Sequence, residues 1–421
     1  MSYDTIYSGR FYFQDEFREL EVAVSDGVIS HIGKAITGAP VTKLEGAIIP
    51  AGTDIHVHFR DPGETDKEDF STGSLSAVYG GTTTVYDMPN NLVPVSDYSV
   101  FQDKLSSVSS RSNCDFGLYS LYNGRNADLI SPRSSGIKIF LGGSTNSTAV
   151  DQISDSDLKV LDSMNVPVVF HGEDAACLKA NSIPEENSLM DHDRARPEQC
   201  EVTSAELISG MPLKKKIMAH ISTPESLSKL NGRAMKEVTP HHILLNSEMD
   251  LGSWGKVNPP LRSRDTQRKL MDSYFRGSFD ILSSDHAPHT EHDKEEFFQA
   301  SAGIIGVETR IPLMLALVAN KTFPLSLVHR TAIANPAAAM GIRKGIIQVG
   351  YLADFMAVKF SETRRVNQDR LHSKTPISPF NGFQAVFPHT VVMRGDIILE
   401  NNEFVGGRNG RFVGNVTSSY P

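Results

Sequence analysis

The residues best able to do chemistry sit in short phrases along the middle of the chain. Thr53-Asp-Ile-His-Val-His-Phe-Arg-Asp-Pro-Gly63 places His56 and His58 two apart, with Arg60 two further on. Residues two apart in a strand share a face, so both imidazoles can turn to one cavity and chelate one cation, and Arg60 can face the same space. In Gly136-Ile-Lys-Ile-Phe140, Lys138 lies between apolar neighbours. A buried ammonium is costly unless it is paired or chemically changed. Carboxylated by carbon dioxide, a lysine becomes an anionic carbamate whose two oxygens can bridge two cations. His171 follows Val168-Val-Phe, His220 follows Ile217-Met-Ala, and Asp285 follows Ile281-Leu-Ser-Ser. Any one of these is ordinary. Together the four histidines, the lysine and the aspartate form an N/O donor set suited to two zinc ions and a bridging anion.

Such residues need a frame that gathers them. From Ala47 onward, short apolar runs alternate with helix-length segments. The runs are 47–50, 83–86, 116–121, 136–140, 166–170, 216–219, 242–245 and 280–282. This texture predicts a parallel sheet covered on both faces, and about eight runs suit a (β/α)8 TIM-like barrel. A doubly wound open sheet is the alternative. In a barrel, catalytic groups come from the C-terminal ends of the strands, which is where the donor residues fall. Both chain ends read instead as strands and turns, including 20–24, 28–33, 346–350, 353–358 and 391–400. The expected organisation is α/β: a barrel over 50–345 inserted into a small β-sandwich built from 1–49 and 346–421. The stretch 372–388 reads as an ordered connection, and 141–147, small and polar, as either a lid or an ordinary loop.

The chain has 421 residues, with 41 Lys plus Arg against 50 Asp plus Glu, a formal charge of −9. Phosphate neutralisation needs a basic surface, so a nucleic-acid partner is not expected. No apolar run approaches the ~18 residues that span a bilayer, and the first residues lack a signal-peptide layout, so no membrane partner is expected. Three scattered cysteines, Cys114, Cys177 and Cys200, suggest neither a disulfide framework nor a thiolate metal cluster, and a cytoplasmic location is expected.

Several phrases carry a family resemblance. Asp54-Ile-His-Val-His-Phe-Arg-Asp-Pro-Gly63, Gly80-Gly-Thr-Thr-Thr-Val-Tyr-Asp-Met-Pro-Asn90, Pro240-His-His, Lys256-Val-Asn-Pro-Pro-Leu-Arg262 and Ser284-Asp-His-Ala-Pro-His289 resemble the amidohydrolase superfamily, and within it the dihydroorotase family. Ala334-Asn-Pro-Ala337, Val349-Gly-Tyr-Leu-Ala-Asp354 and Pro379-Phe-Asn-Gly382 extend the likeness over nearly the whole chain.

The resemblance implies two Zn2+ per subunit. His56, His58 and Asp285 would hold one ion and His171 and His220 the other, with N6-carboxylated Lys138 as the bridge. One bacterial branch similar around the His-x-His uses an aspartate bridge, whereas this chain has Lys138 in a Lys-Ile-Phe phrase. Zinc, cobalt and manganese can share such ligands. Arg60, Asn90 and His289 would bind a substrate carboxylate, and Asn258 a ring amide. Arg suits planar bidentate recognition of an anion. A surface ion pair of Arg60 with Asp61 or Glu64 is the plainer alternative. The implied activity is the reversible cyclisation of N-carbamoyl-L-aspartate to L-dihydroorotate and water in pyrimidine (UMP) biosynthesis, with Asp285 as general base and acid. Two alternatives are a hydantoinase or allantoinase, and a non-catalytic relative scaffolding aspartate transcarbamoylase. A homodimer, and docking of aspartate transcarbamoylase, are family-level expectations.

Overall fold

The computed structural model describes residues 3–143, 146–147, 149–150 and 152–414. Two eight-stranded sheets organise it. The first joins both chain ends. β1 (Thr5–Phe13), β2 (Glu16–Ser25), β3 (Val28–Gly33) and β4 (Val41–Pro50) come from the start of the chain. The second sheet is the barrel wall: β5 (Gly52–Val57), β6 (Thr82–Asp87), β7 (Asp115–Leu121), β8 (Gly136–Phe140), β9 (Val168–His171), β10 (Lys216–Met218), β11 (Met235–Val238) and β12 (Ile281–Leu282). All seven pairings in this wall are parallel and follow chain order. A parallel bridge from Val57 to His286, with His58 N–H donating to the His286 carbonyl at 2.7 Å, joins the last strand region to the first. The chain then returns to the terminal sheet through β13 (Phe355–Val358). A short pair, β14 (Arg364–Arg365) and β15 (Gln384–Ala385), precedes β16 (Thr390–Met393), β17 (Asp396–Glu400) and β18 (Glu403–Phe404). In the terminal sheet β4 pairs with β1 on one side and with β13 on the other, so strands from the two ends interleave.

The fold is therefore the expected α/β barrel with a β-sandwich from the termini, but the strand assignments need correction at three places. The run 47–50 belongs to β4 of the terminal sheet, and the barrel starts only at Gly52. Ile48 to Gly52 carries no polar residue, and every residue from Ala47 through Val57 is buried, so hydrophobicity alone does not show where one sheet hands over to the next. The run 242–245 is not a strand. Pro240 opens a helix, Pro240–Leu244, and the Thr239 side chain accepts from the His242 N–H, capping it. The seventh barrel strand is instead β11, Met-Lys-Glu-Val, whose polar residues hide it. Residues 346–350 form no strand; Gly345 and Gly350 have φ of 81° and 87°, and these turns bracket the segment.

One further expectation changes. Cys177 and Cys200 are disulfide-bonded, joining the helix Ala175–Asn181 to the helix Glu198–Gly210; only Cys114 is free. The pairing closes a 23-residue separation that composition did not reveal. Of the phrase 141–147, residues 144 and 145 lie outside the described residues, and with them the lid expectation. Among the described residues no helix is long and apolar enough to cross a membrane.

Candidate metal centre and substrate pocket

The donor residues meet at one end of the barrel because most of them lie at or just past a strand's C-terminal end, with Lys138 reaching the same space from the middle of its strand. His56 is inside β5 and His58 just beyond it; Asn90 follows β6; Lys138 is central in β8; His171 ends β9; His220 follows β10; Asp285 follows β12. One cavity is lined by His56, His58, Arg60, Asn90, Lys138 and His171 together with His220, Asn258 and Asp285. His289 is the remaining expected residue, and its Nε2 lies 3.2 Å from Arg60 Nη2. Three of these residues, Arg60, His220 and Asp285, have left-handed backbones, with φ of 60°, 36° and 48°.

The distances suit a metal centre. Asp285 Oδ1 stands 3.3 Å from the Nε2 of both His56 and His58. Lys138 Nζ is 3.4 Å from His56 Nε2, and His171 Nδ1 is 3.1 Å from His220 Nε2. Ligands at about 2.0–2.1 Å around a tetrahedral zinc stand ~3.3 Å from one another, so these donors are spaced as a cation would hold them. His56, His220 and Asp285 bring one donor atom each within 4.8 Å of one another.

The protonation states agree. Burial, followed by the Lys138 charge, pushes His56 down to about 3. Burial drives His58 and His220 well below the ordinary imidazole value, with Arg60 next for His58 and His171 next for His220. His171 is lowered by burial too, against the opposing pull of Glu173. Neutral imidazoles keep a lone pair for a metal. Lys138, fully buried in β8, is lowered by burial, and Glu237 is raised by burial.

Sequence reading missed the residues that orient these ligands. Glu237 Oε1 lies 2.8 Å from His56 Nδ1, and Glu173 Oε2 lies 2.9 Å from His171 Nε2. In each case the outer ring nitrogen faces a fully buried carboxylate while the inner one faces the cavity, an arrangement that fixes tautomer and ring angle in metal sites. Arg196 Nη2 in turn donates to Glu173 Oε2 at 2.6 Å. Glu173 was discernible two residues after His171; Glu237 was hidden in the unrecognised β11.

Arg60 is buried, and its plainer partners are engaged elsewhere. Asp61 pairs with Arg111 at 2.8 Å and Glu64 with Lys67 at 2.9 Å. Arg60 Nε donates to the Pro288 carbonyl at 3.3 Å, and no carboxylate among the described residues forms an ion pair with it. A buried guanidinium beside a metal-type donor cluster is a prepared site for an anion.

Comparison with known proteins agrees with this geometry. Residues 147–398 match the Amidohydrolase family. A protein named dihydroorotase from Thermoplasma acidophilum is 54% identical over 413 residues, covering 98% of this chain and 99% of its own length. A dihydroorotase from Methanosarcina acetivorans is 34% identical, covering 93% and 91%. Among solved structures, the L-hydantoinase (dihydropyrimidinase) from Arthrobacter aurescens superposes with a TM-score of 0.90 at 25% identity, over 98% of this chain and all of that one. A dihydropyrimidinase from Brevibacillus agri, at 20% identity and a TM-score of 0.87, shares the fold. The chain belongs to the amidohydrolase family and, within it, groups with the dihydroorotases.

Proposed function

We propose that the chain interconverts N-carbamoyl-L-aspartate and L-dihydroorotate. The observation that carries this is the buried Arg60, in an ion pair with no carboxylate among the described residues, in the same cavity as His56, His58, Lys138, His171, His220 and Asp285. A cyclic amide hydrolase acting on a neutral ring has no use for that cation, whereas dihydroorotate carries a ring carboxylate. Shape similarity to hydantoinases reflects the shared barrel and does not favour their substrates. A purely scaffolding role leaves the retained donor set unexplained.

His56, His58 and Asp285 would hold one zinc, His171 and His220 a second, and Lys138 would bridge them as a carbamate. Burial of Lys138 favours its neutral amine, the form that adds to carbon dioxide to give the carbamate and a proton. When bound, two such ions supply hydroxide near neutral pH and polarise the ring carbonyl under attack. Arg60, Asn90 and His289 hold the ring carboxylate and so set which carbonyl faces the centre. Asn258, in the same cavity, binds the ring amide. Asp285 takes a proton from the attacking water and delivers it to the ring nitrogen as the C–N bond breaks. In the reverse direction the ureido nitrogen condenses onto the side-chain carboxyl, the C–N bond forms and water leaves. We place this activity in the cytoplasmic synthesis of pyrimidines, with the subunit acting as a homodimer that can dock aspartate transcarbamoylase.

Assay of the purified, zinc-loaded protein with carbamoyl-aspartate, hydantoin and allantoin tests the proposal. Turnover of carbamoyl-aspartate is expected. Turnover confined to the other two would overturn it.

A further inference from the structure

His192 lies outside the donor set, yet it touches the pocket wall. It sits in the helix Leu189–Ala195 and is buried. Its Nδ1 is 2.7 Å from Glu186 Oε2. Its Nε2 is 3.0 Å from the Val257 carbonyl and 2.9 Å from Asn258 Oδ1. Val257 and Asn258 both line the substrate cavity.

These contacts settle which way the Asn258 amide is turned. A backbone carbonyl only accepts, so the Nε2 that faces Val257 O must carry a hydrogen. The Asn258 atom facing the same hydrogen must then be the oxygen, which agrees with the assigned Oδ1. The amide nitrogen is left on the other side, and Nδ2 has no protein acceptor among the described residues. Glu186 anchors the far side of the ring, and Lys256, 3.5 Å from Glu186, anchors that carboxylate. Lys256 is itself fixed by donating to the Phe297 and Phe298 carbonyls at 3.0 and 3.2 Å. A rigid chain therefore runs from Lys256 through Glu186 and His192 to the amide that faces the substrate.

We infer that His192 is a positioning residue that locks Asn258 as a hydrogen-bond donor toward the substrate, so that the pocket accepts a ring carbonyl oxygen at this point and rejects a ring N–H. Without His192 the amide can rotate and present either atom. A donor facing a donor would leave a desolvated polar pair, the kind of mismatch by which buried sites discriminate strongly. The inference rests on the proposed role of Asn258 at the ring amide.

The test is a double-mutant cycle on the zinc-loaded enzyme with dihydroorotate, reading kcat, KM and metal content. His192→Phe keeps a planar ring and removes both N–H groups. It should raise KM about tenfold, with kcat within about threefold and metal content unchanged. His192→Gln, which retains a donor, should recover most of that loss. In an Asn258→Ala background, His192→Phe should add less than about twofold, because the residue it positions is gone. An equal loss in both backgrounds would overturn the inference, as would wild-type KM in His192→Phe while Asn258→Ala is impaired. If Asn258→Ala itself matches wild type, the assignment of Asn258 to the substrate fails and this inference falls with it, while the metal-centre reading stands. Should His192→Phe not fold, His192→Leu carries the same comparison.

Discussion

Replacing Arg60 by glutamine should convert a carboxylate-selective pocket into an indifferent one. Arg60 has five N–H groups. One, on Nε, donates to the Pro288 carbonyl; His289 Nε2, 3.2 Å from Nη2, also faces the Ala302 carbonyl at 3.1 Å and so donates there, which leaves four N–H groups for an incoming carboxylate. The side chain is only 3% exposed, so an anion meeting it is largely desolvated. Truncating one partner of a buried, hydrogen-bonded charge pair costs about 2–5 kcal/mol. Glutamine retains a neutral hydrogen bond that offsets about 1 kcal/mol. The net, about 3 kcal/mol, corresponds to roughly a 100-fold fall in kcat/KM. The assay compares L-dihydroorotate with its neutral carboxamide at equal metal loading. In the wild type the charged substrate should be strongly preferred. In Arg60→Gln its kcat/KM should fall about 100-fold while the carboxamide changes less than about threefold. An unchanged preference, or a parallel fall for both compounds, would refute the assignment of Arg60 as the carboxylate clamp.

Further outcomes follow from the same geometry. Lys138→Ala should lose bound metal and activity, with partial recovery on adding short carboxylates; full activity at intact metal content would place the bridge elsewhere. Glu173→Gln removes the charged partner of both His171 and Arg196, and chelator competition should show metal affinity reduced about 10–100-fold; wild-type affinity would show that Glu173 does not tune the site. Burial holds His242 at about 4 against an ordinary 6.5, so the unfolded chain takes up this proton first. Its contribution is complete above about pH 6.5 and is lost as pH falls toward 4, by about 2–3 kcal/mol at pH 4.5. Urea unfolding of metal-free protein at pH 7 and 4.5 should show a smaller acid loss in His242→Gln, and an equal loss would exclude His242 as a source. Reducing Cys177–Cys200, or substituting Cys177→Ser, should lower stability by about 3 kcal/mol on the chain-entropy estimate for a loop of this length. An unchanged melting midpoint with both thiols titratable would contradict that.

The gathering of the candidate donors in one cavity was legible in the sequence because residues that follow apolar strands in a barrel collect at one end, and the strand signal flags what comes next. His171 and His220 are marked by the β9 and β10 runs, and Asp285 by β12. The orienting residues were not legible for the opposite reason. Glu237 lies within a four-residue strand, β11, whose Lys and Glu mask its burial, whereas the more apolar run 242–245, which overlaps the helix Pro240–Leu244, carries the stronger strand signal. His192, in the helix Leu189–Ala195, and Arg196, just past its end, lie after β9 with no apolar marker tying them to the pocket. Their roles depend on three-dimensional reach to Asn258 and Glu173. The disulfide was unreadable because spacing alone does not report that two helices bring their cysteines together. A related limit explains β4 and β5, where one unbroken buried stretch serves two different sheets.

If Arg60, His220 and Asp285 act as proposed, their left-handed backbones imply an evolutionary and engineering trade-off. Left-handed non-glycine residues store about 1–3 kcal/mol each, least for Asp and His types that tolerate the region and most for Arg. At each of the three, glycine or asparagine would relieve the chain and remove the chemistry in the same step. A library of variants sorted for thermal stability alone would therefore enrich changes at the pocket and return robust, inactive barrels. Sorting the same library for turnover would retain the strained residues and push stabilising changes to the terminal sheet and outer helices. On the proposed roles of these three residues, the rim of the barrel is where selection for folding and selection for catalysis would pull in opposite directions.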